Sequence, residues 1–555
     1  MGHHISVLTA SESVMPFVLL VPLIAAVLVL LGAPARRTSL AAAALNFVLV
    51  LIQCALYEHK FTMTLLEVIP SMDLKFLVGL DGLSLMMLLL TSVVTLSAVW
   101  VTPKVEHGEN AFYSCLLFIS AGAVGAFISF DLFFFYAFHE LALIPTFLLI
   151  GIWGHGENRE AAAWKITIYL AIGSFILLLG LVGLYVSLPP GHRTFDLTEI
   201  ALLAPIAPSA QHWIFPLLLV GFGILVSLFP FHTWAPSAYA AAPTPAAMMH
   251  AGILKKFGLY GLLRIAVPLL PIGMQQWMNV LLVLLVGNIL YVGYVTIAQK
   301  RLDMLLGYSS VMHMGYIFLG ISSLNMIGLS GAALMMFAHG LSIAVLFAVA
   351  GEIRTRTGTM RIDELGGLAR TMPFLALMFG LGMFASIGLP GFANFASEVM
   401  IFFGAFRYHA LHYQTSLLSG ELMTADKIPG TPVVLSGTAS ADHHQIATIC
   451  ALWGVVISAV YMLRAYRHVF LGVLRPETAA QGSVGPTKIG DLLGNRRWAL
   501  GLLVAGLLIV GFRPQAMLNI ITPSLPMPPA TDAGAVTGTH DSTLPESLTA
   551  RTSNF

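Results

Sequence analysis

The sequence predicts an all-α polytopic membrane protein of about 14 transmembrane helices, in two inverted halves, with helices 7 and 12 discontinuous. Three observations predict this. The 555 residues are 57% hydrophobic and only 10% charged, with a mean hydropathy of +0.87. A soluble chain is about half apolar and a quarter charged. Apolar runs long enough to cross a bilayer, about 20 residues each, recur from end to end. Two of these runs are interrupted by proline and glycine, five helices apart.

In order, the runs fall near 14–33, 38–57, 76–100, 111–129, 131–153, 165–187, 213–230, 243–270, 276–299, 304–323, 327–352, 372–406, 446–470 and 497–513. The start, "MGHHISVLTASESVMPF", lacks a basic stretch and a clear cleavage site, so the first run reads as a retained helix. Of the 27 lysines and arginines, sixteen fall in one set of alternate loops and eight in the other. The positive-inside rule places the richer set in the cytoplasm and both termini outside, in the periplasm. The segments 407–445 and 514–555 are polar and rich in Pro, Ser, Thr and Gly; they read as a loop and a loose tail. The organisation is therefore 1–110 (helices 1–3), 111–270 (first half, helices 4–8), 271–471 (second half, helices 9–13), 472–513 (cytoplasmic loop and helix 14) and 514–555 (tail).

The interruptions are chemical. "SLFPFHTWAPSAYAAAPTPAAMMHAG" carries Pro230, Pro236, Pro243 and Pro245. "ASIGLPGFANFASEVMIF" carries Gly388, Pro390 and Gly391. Proline lacks the amide donor and clashes with the preceding turn. Freed backbone groups at membrane depth survive where they are buried in protein or line a wet cavity. Paired breaks in two inverted halves mark a transporter fold with an ion site between the halves.

Few ionisable side chains lie inside the runs. They are Asp81, Glu140, the adjacent Lys255 and Lys256, Glu398, and the imidazoles His250, His313 and His339. A buried carboxylate or lysine in a membrane marks an ion or proton path; the plainer reading is an ion pair that only fixes helix packing. Asp81 stands at a helix start, where the dipole favours a carboxylate, and reads as structural. Adjacent lysines point about 100° apart on a helix, so the pair cannot share one partner. Burial favours the neutral form of both amine and carboxylate, and histidine titrates near neutrality. Such a set can relay protons. Three scattered cysteines, Cys54, Cys115 and Cys450, exclude a disulfide framework, a cysteine zinc site and a cysteine-held iron–sulfur cluster. No basic block suggests nucleic acid.

At "FHELALIPTFLLIGIWG", "FPFHTWAPSAYAAAPTPAAMMHAGILKKFGLYGLLRI", "GYSSVMHMGY", "MMFAHGLSIAVLF" and "GLPGFANFASEVMIFFGAF" the sequence resembles the antiporter-like membrane subunits of respiratory complex I. The likeness is to subunit M of the bacterial NADH–quinone oxidoreductase, called chain 4 in mitochondria, over about residues 76–471. The resemblance implies two inverted five-helix units. It assigns the proton path to Glu140 of helix five, Lys256 of helix eight, His313, His339 and Glu398 of helix twelve. It implies no cofactor in this chain, with NADH, FMN, iron–sulfur clusters and quinone in partner subunits. The partners it implies are other membrane subunits of the assembly, in a bacterial inner membrane. The corresponding membrane subunit of an Mrp-type Na+/H+ antiporter, a membrane-bound hydrogenase subunit, and a structural subunit without pumping are the alternatives. The chain departs from the pattern at Leu225, where the family carries the lysine that pairs with Glu140. It departs also at Ser237, Tyr239, Asp303 and the extra Lys255. Lys255 is then a candidate to take over as partner of Glu140.

Overall fold

The computed structural model describes residues 10–69, 73–203, 205–407, 443–473, 490–492 and 494–526. Most of the predicted loop 407–445, much of the loop after 473 and the tail beyond 526 lie outside the described residues.

The chain opens with an antiparallel helix pair, α1 (Ala10–Leu30) and α2 (Ala35–Leu56). A two-stranded hairpin follows, β1 (Phe61–Ile69) and β2 (Leu74–Leu80), with Phe61 opposite Leu80. The hairpin is a small addition to a helical architecture and corrects only the start of the predicted third helix, which absorbed Phe76 to Leu80. The strand stops at Asp81, whose side chain accepts from the Ser84 amide at 2.9 Å and caps α3 (Gly82–Val101). Apolar content alone does not separate a buried strand from a helix turn; the cap does.

Three long helices follow, α4 (Glu109–Ile128), α5 (Leu132–Trp153) and α6 (Arg159–Ser187). A short α7 (Leu197–Leu202) leads into α8 (Pro208–Val226). There the seventh predicted segment breaks. Ser227 adopts a left-handed conformation, the Phe229–Pro230 peptide is cis, and helix resumes as α9 (Trp234–Ala241).

The next run, 244–269, which we label α10, alternates α-helical turns with π-turns at His250–Leu254 and Leu262–Ala266. Then come α11 (Pro271–Ile297), α12 (Leu302–Ser322) and α13 (Met326–Thr357). The twelfth predicted segment is two half-helices, α14 (Pro373–Ser386) and α15 (Ala393–Phe406), separated by the Gly388–Gly391 turn. The chain closes with α16 (His443–Phe470), α17 (Arg496–Phe512) and α18 (Pro514–Ile521), the last bent 83° from α17.

Among the described residues, eleven helices are long and apolar enough to cross a membrane, or twelve counting the bent pair. The other predicted segments are the interrupted α10 and the two halves α14 and α15, each too short to span alone. Helices α3, α10, α12 and α13 are buried nearly all round, whereas α1, α2, α5, α6 and α16 turn large apolar side chains outward. A helix apolar on every side belongs in a core or in lipid; this molecule has both kinds. The second halves of both broken segments, α9 and α15, pack against α12.

Candidate proton path

The site is built on α10. Gly252 of α10 and Gly340 of α13 let two backbones meet: a Cβ on Gly340 would lie 2.8 Å from the Gly252 carbonyl. That approach sets Lys256 beside His339. Its ammonium nitrogen lies 3.0 Å from His339 Nδ1 and donates to the Ala251 carbonyl at 2.5 Å. The His339 and His313 rings are 5.4 Å apart. His313 Nδ1 is 2.7 Å from the Ser309 carbonyl, and Nε2 is 2.8 Å from the Ser386 carbonyl, at the end of α14.

Glu398, on α15, is buried at 5% exposure. Its carboxylate packs against Gly388 in the helix break. Gly388 has φ +70°, and a Cβ there would collide with the carboxylate. Both the backbone conformation and the space demand glycine. Thus Lys256, His339 and His313 follow one another across the centre, and Glu398 stands at the break that His313 contacts.

Lys255 is fully buried but turned elsewhere. Its nitrogen donates to Ser310 Oγ at 3.3 Å and stands 5.7 Å over the Tyr239 ring. Tyr239 Oη is 3.4 Å from His250 Nδ1. Both lysines are internal because α10 is central, so two directions 100° apart both end inside the protein.

Glu140 differs from the expectation of full burial. It is half-buried in a groove of about 190 Å³ between α5 and α6, lined by Leu143, Thr146, Phe147, Ile166 and Leu170. Its carboxylate accepts the Ser174 hydroxyl. Among the described residues no basic group comes within 4 Å of it. The anticipated Lys255 pairing is absent: α5 sends Glu140 to its outer flank, whereas Lys255 faces α12. Leu225 is buried in α8.

The sequence does not single out His139 or Arg264, which are also buried or nearly buried polar groups. His139, beside Glu140, is buried and stacked on Phe257 at 4.1 Å, with neither ring nitrogen bonded among the described residues. The polar pair "HE" inside an apolar run was the available signal. Asp81 takes a second role as the carboxylate of Arg264, which also donates to Ser84 Oγ and Tyr260 Oη. Asp303 is buried between Arg301 and Arg354, each at 2.6 Å. The unusual carboxylate on α12 therefore has its counter-charge on α13.

A polytopic helical protein whose two broken segments meet around buried lysine, histidine and carboxylate groups is of the antiporter-like transporter class. The chain belongs to the NADH:quinone oxidoreductase/Mrp antiporter transmembrane family, whose model matches residues 129–424. NAD(P)H-quinone oxidoreductase chain 4 of a Picosynechococcus species is 35% identical over 72% of this chain and 68% of its own length. NADH-quinone oxidoreductase subunit M of Rickettsia conorii is 32% identical over 82% of this chain and 84% of its own. Among solved structures, a chain of respiratory complex I from Thermus thermophilus superposes with a TM-score of 0.77 at 27% identity, covering 92% of this chain and 97% of that one. A chain of the Mrp complex from a Dietzia species shares the fold, with a TM-score of 0.76 at 20% identity over 94% and 98% of the two chains.

Proposed function

We propose that this chain is a proton-translocating membrane subunit of a complex I-type NADH–quinone oxidoreductase. It moves protons through Lys256, His339, His313 and Glu398, with Glu140 and Lys255 as side inputs, driven by quinone reduction in other subunits. Those subunits hold the NADH, FMN, cluster and quinone sites. The observation that carries the reading is the buried succession Lys256–His339–His313 ending at a helix break that also holds Glu398. Buried ionisable groups this isolated from solvent are costly and mark ion pathways. The names and the identity of the relatives support it. Fourteen crossings in two inverted five-helix units, both termini periplasmic and a bacterial inner-membrane location belong to the same proposal.

The test is proton uptake per NADH oxidised, in proteoliposomes carrying the purified assembly. Glu398→Gln should lower that ratio while electron transfer continues. An unchanged ratio, with assembly intact, would favour a structural subunit. One observation favours that second reading: Glu140 has no cation partner within 4 Å among the described residues, its carboxylate accepting the Ser174 hydroxyl instead. The partners that copurify separate an oxidoreductase from an Mrp-type antiporter.

A further inference from the structure

We propose that the break between α14 and α15 holds His313 doubly protonated, and that the Ser386 carbonyl is the acceptor the break sets free. A neutral imidazole has one N–H and one bare nitrogen, and a carbonyl oxygen only accepts. His313, 1% exposed, presents both nitrogens to carbonyls, Nδ1 to Ser309 at 2.7 Å and Nε2 to Ser386 at 2.8 Å. A neutral ring satisfies one of them and sets its lone pair against the other. The imidazolium donates to both, at distances typical of charge-assisted bonds, about 2.7–2.9 Å.

The acceptor is a product of the break. The last four carbonyls of a helix lack intrahelical partners and carry the negative end of its dipole. Past Ser386 the amides of Ile387, Gly388 and Leu389 turn back to Met383, Ala385 and Phe384. They pass over the Ser386 oxygen, and the imidazole takes it. A continuous helix would spend that oxygen on its own next turn.

The groups around the ring define the balance. Burial first, then Lys255 and Lys256 of α10, oppose a positive charge on the ring; the His339 ring of α13 stands 5.4 Å away, and the Tyr316 ring of α12 lies across it at 5.7 Å. No carboxylate lies within 4 Å of a His313 nitrogen among the described residues. Glu398 packs on Gly388, two residues past Ser386. The proton is therefore held by carbonyls and a helix end, not by an ion pair. This inference rests on the same residues as the proposed path. Its readout is independent, since a nitrogen's protonation can be wrong while pumping persists, and the reverse.

The experiment is solid-state ¹⁵N NMR of the intact assembly in lipid, with this subunit's histidines ring-labelled, at pH 7. His313→Gln identifies the signals that disappear. Two protonated ring nitrogens among the lost signals is the expected result; one protonated and one bare nitrogen overturns the proposal. If His313→Gln does not assemble, Tyr316→Phe makes the assignment. Its hydroxyl has no partner among the described residues, so its loss should leave the fold intact and shift the imidazole it touches. The same two outcomes then apply.

Discussion

Glu140 sits eight residues into α5 with the Ser174 hydroxyl as its partner, and Lys255 donates to Ser310. Two groups without contact act independently. The pumping losses of Glu140→Gln and Lys255→Leu should therefore add as free energies, to within about 0.5 kcal/mol. A double mutant no worse than either single, measured by proton uptake, would put them in one pair after all. The residue types of this site could be read from the sequence, because a charge inside an apolar run is conspicuous. Their partners could not, because a side chain's direction depends on the faces of neighbouring helices. Just outside the fifth span, Asp131 is a second residue-scale case. It caps α5 through the Phe133 and Phe134 amides at 2.8 and 2.9 Å, yet burial pushes its carboxyl up to about 7, with Asp196 and Asp73 adding to the rise. A folded value above the unfolded one, about 3.9, gives stability that is complete below pH 4 and lost as pH rises through 7. Asp131→Asn keeps a capping oxygen. Its gain in melting temperature over the parent assembly should grow from pH 4 to pH 7 and then level off; a gain independent of pH would refute the assignment.

Among elements, the two helix breaks follow from local chemistry, since proline and glycine act on their own turn. Both occur where Pro230 and Pro390 stand. The β-hairpin was hidden because β2 and the start of α3 form one apolar stretch, and the boundary rests on the single cap at Asp81. The π-turns of α10 were hidden for another reason. They answer the close packing of α3, α8 and α13 around that helix, and π-turns recur at functional sites. Between elements, Asp303 ties α12 to α13 through Arg354, which also reaches the Ala240 carbonyl at the end of α9. Removing one member of a buried pair costs about 3–5 kcal/mol. Asp303→Lys, which inverts the charge between two arginines, should therefore lower the melting temperature of the detergent-solubilised assembly. Adding Arg354→Glu should restore part of the loss. Equal melting temperatures for Asp303→Lys and the parent would show that the pair does not hold the two helices.

For the whole molecule, the class was legible from hydropathy, because fourteen apolar runs leave no room for a soluble fold. The layering was not. Mean hydropathy is much the same for α6, with its outward apolar face, and for fully enclosed α13, at 2.3 and 2.1, so it cannot tell an outward face from a buried one. The long-range clamp at the end of the chain was equally silent in sequence. Glu352 of α13 joins Arg356 of its own helix to Arg496 of α17, across 144 residues. Glu352→Ala would leave two arginines facing each other. The expected outcome is earlier protease cleavage before α17 in the detergent-solubilised assembly, with α1–α6 unaffected. Cleavage at the parent's rate would show that α17 is held by apolar packing alone.

The central position of α10 also has a consequence for synthesis. The run 245–269 carries Lys255, Lys256 and Arg264 against nine Leu, Ile, Phe and Val residues. At about +2.5–3.5 kcal/mol for each central lysine and about −0.3 to −0.6 for each large apolar residue, it does not partition into lipid unaided. Asp81, the counter-ion of Arg264, leaves the ribosome earlier. Ser310 and His339, which receive the two lysines, leave it later. This segment must therefore wait at the insertion machinery, or slip in sideways, until helices translated after it arrive. Chains stopped just before residue 300 should leave it outside the bilayer, a difference that glycosylation mapping reads directly.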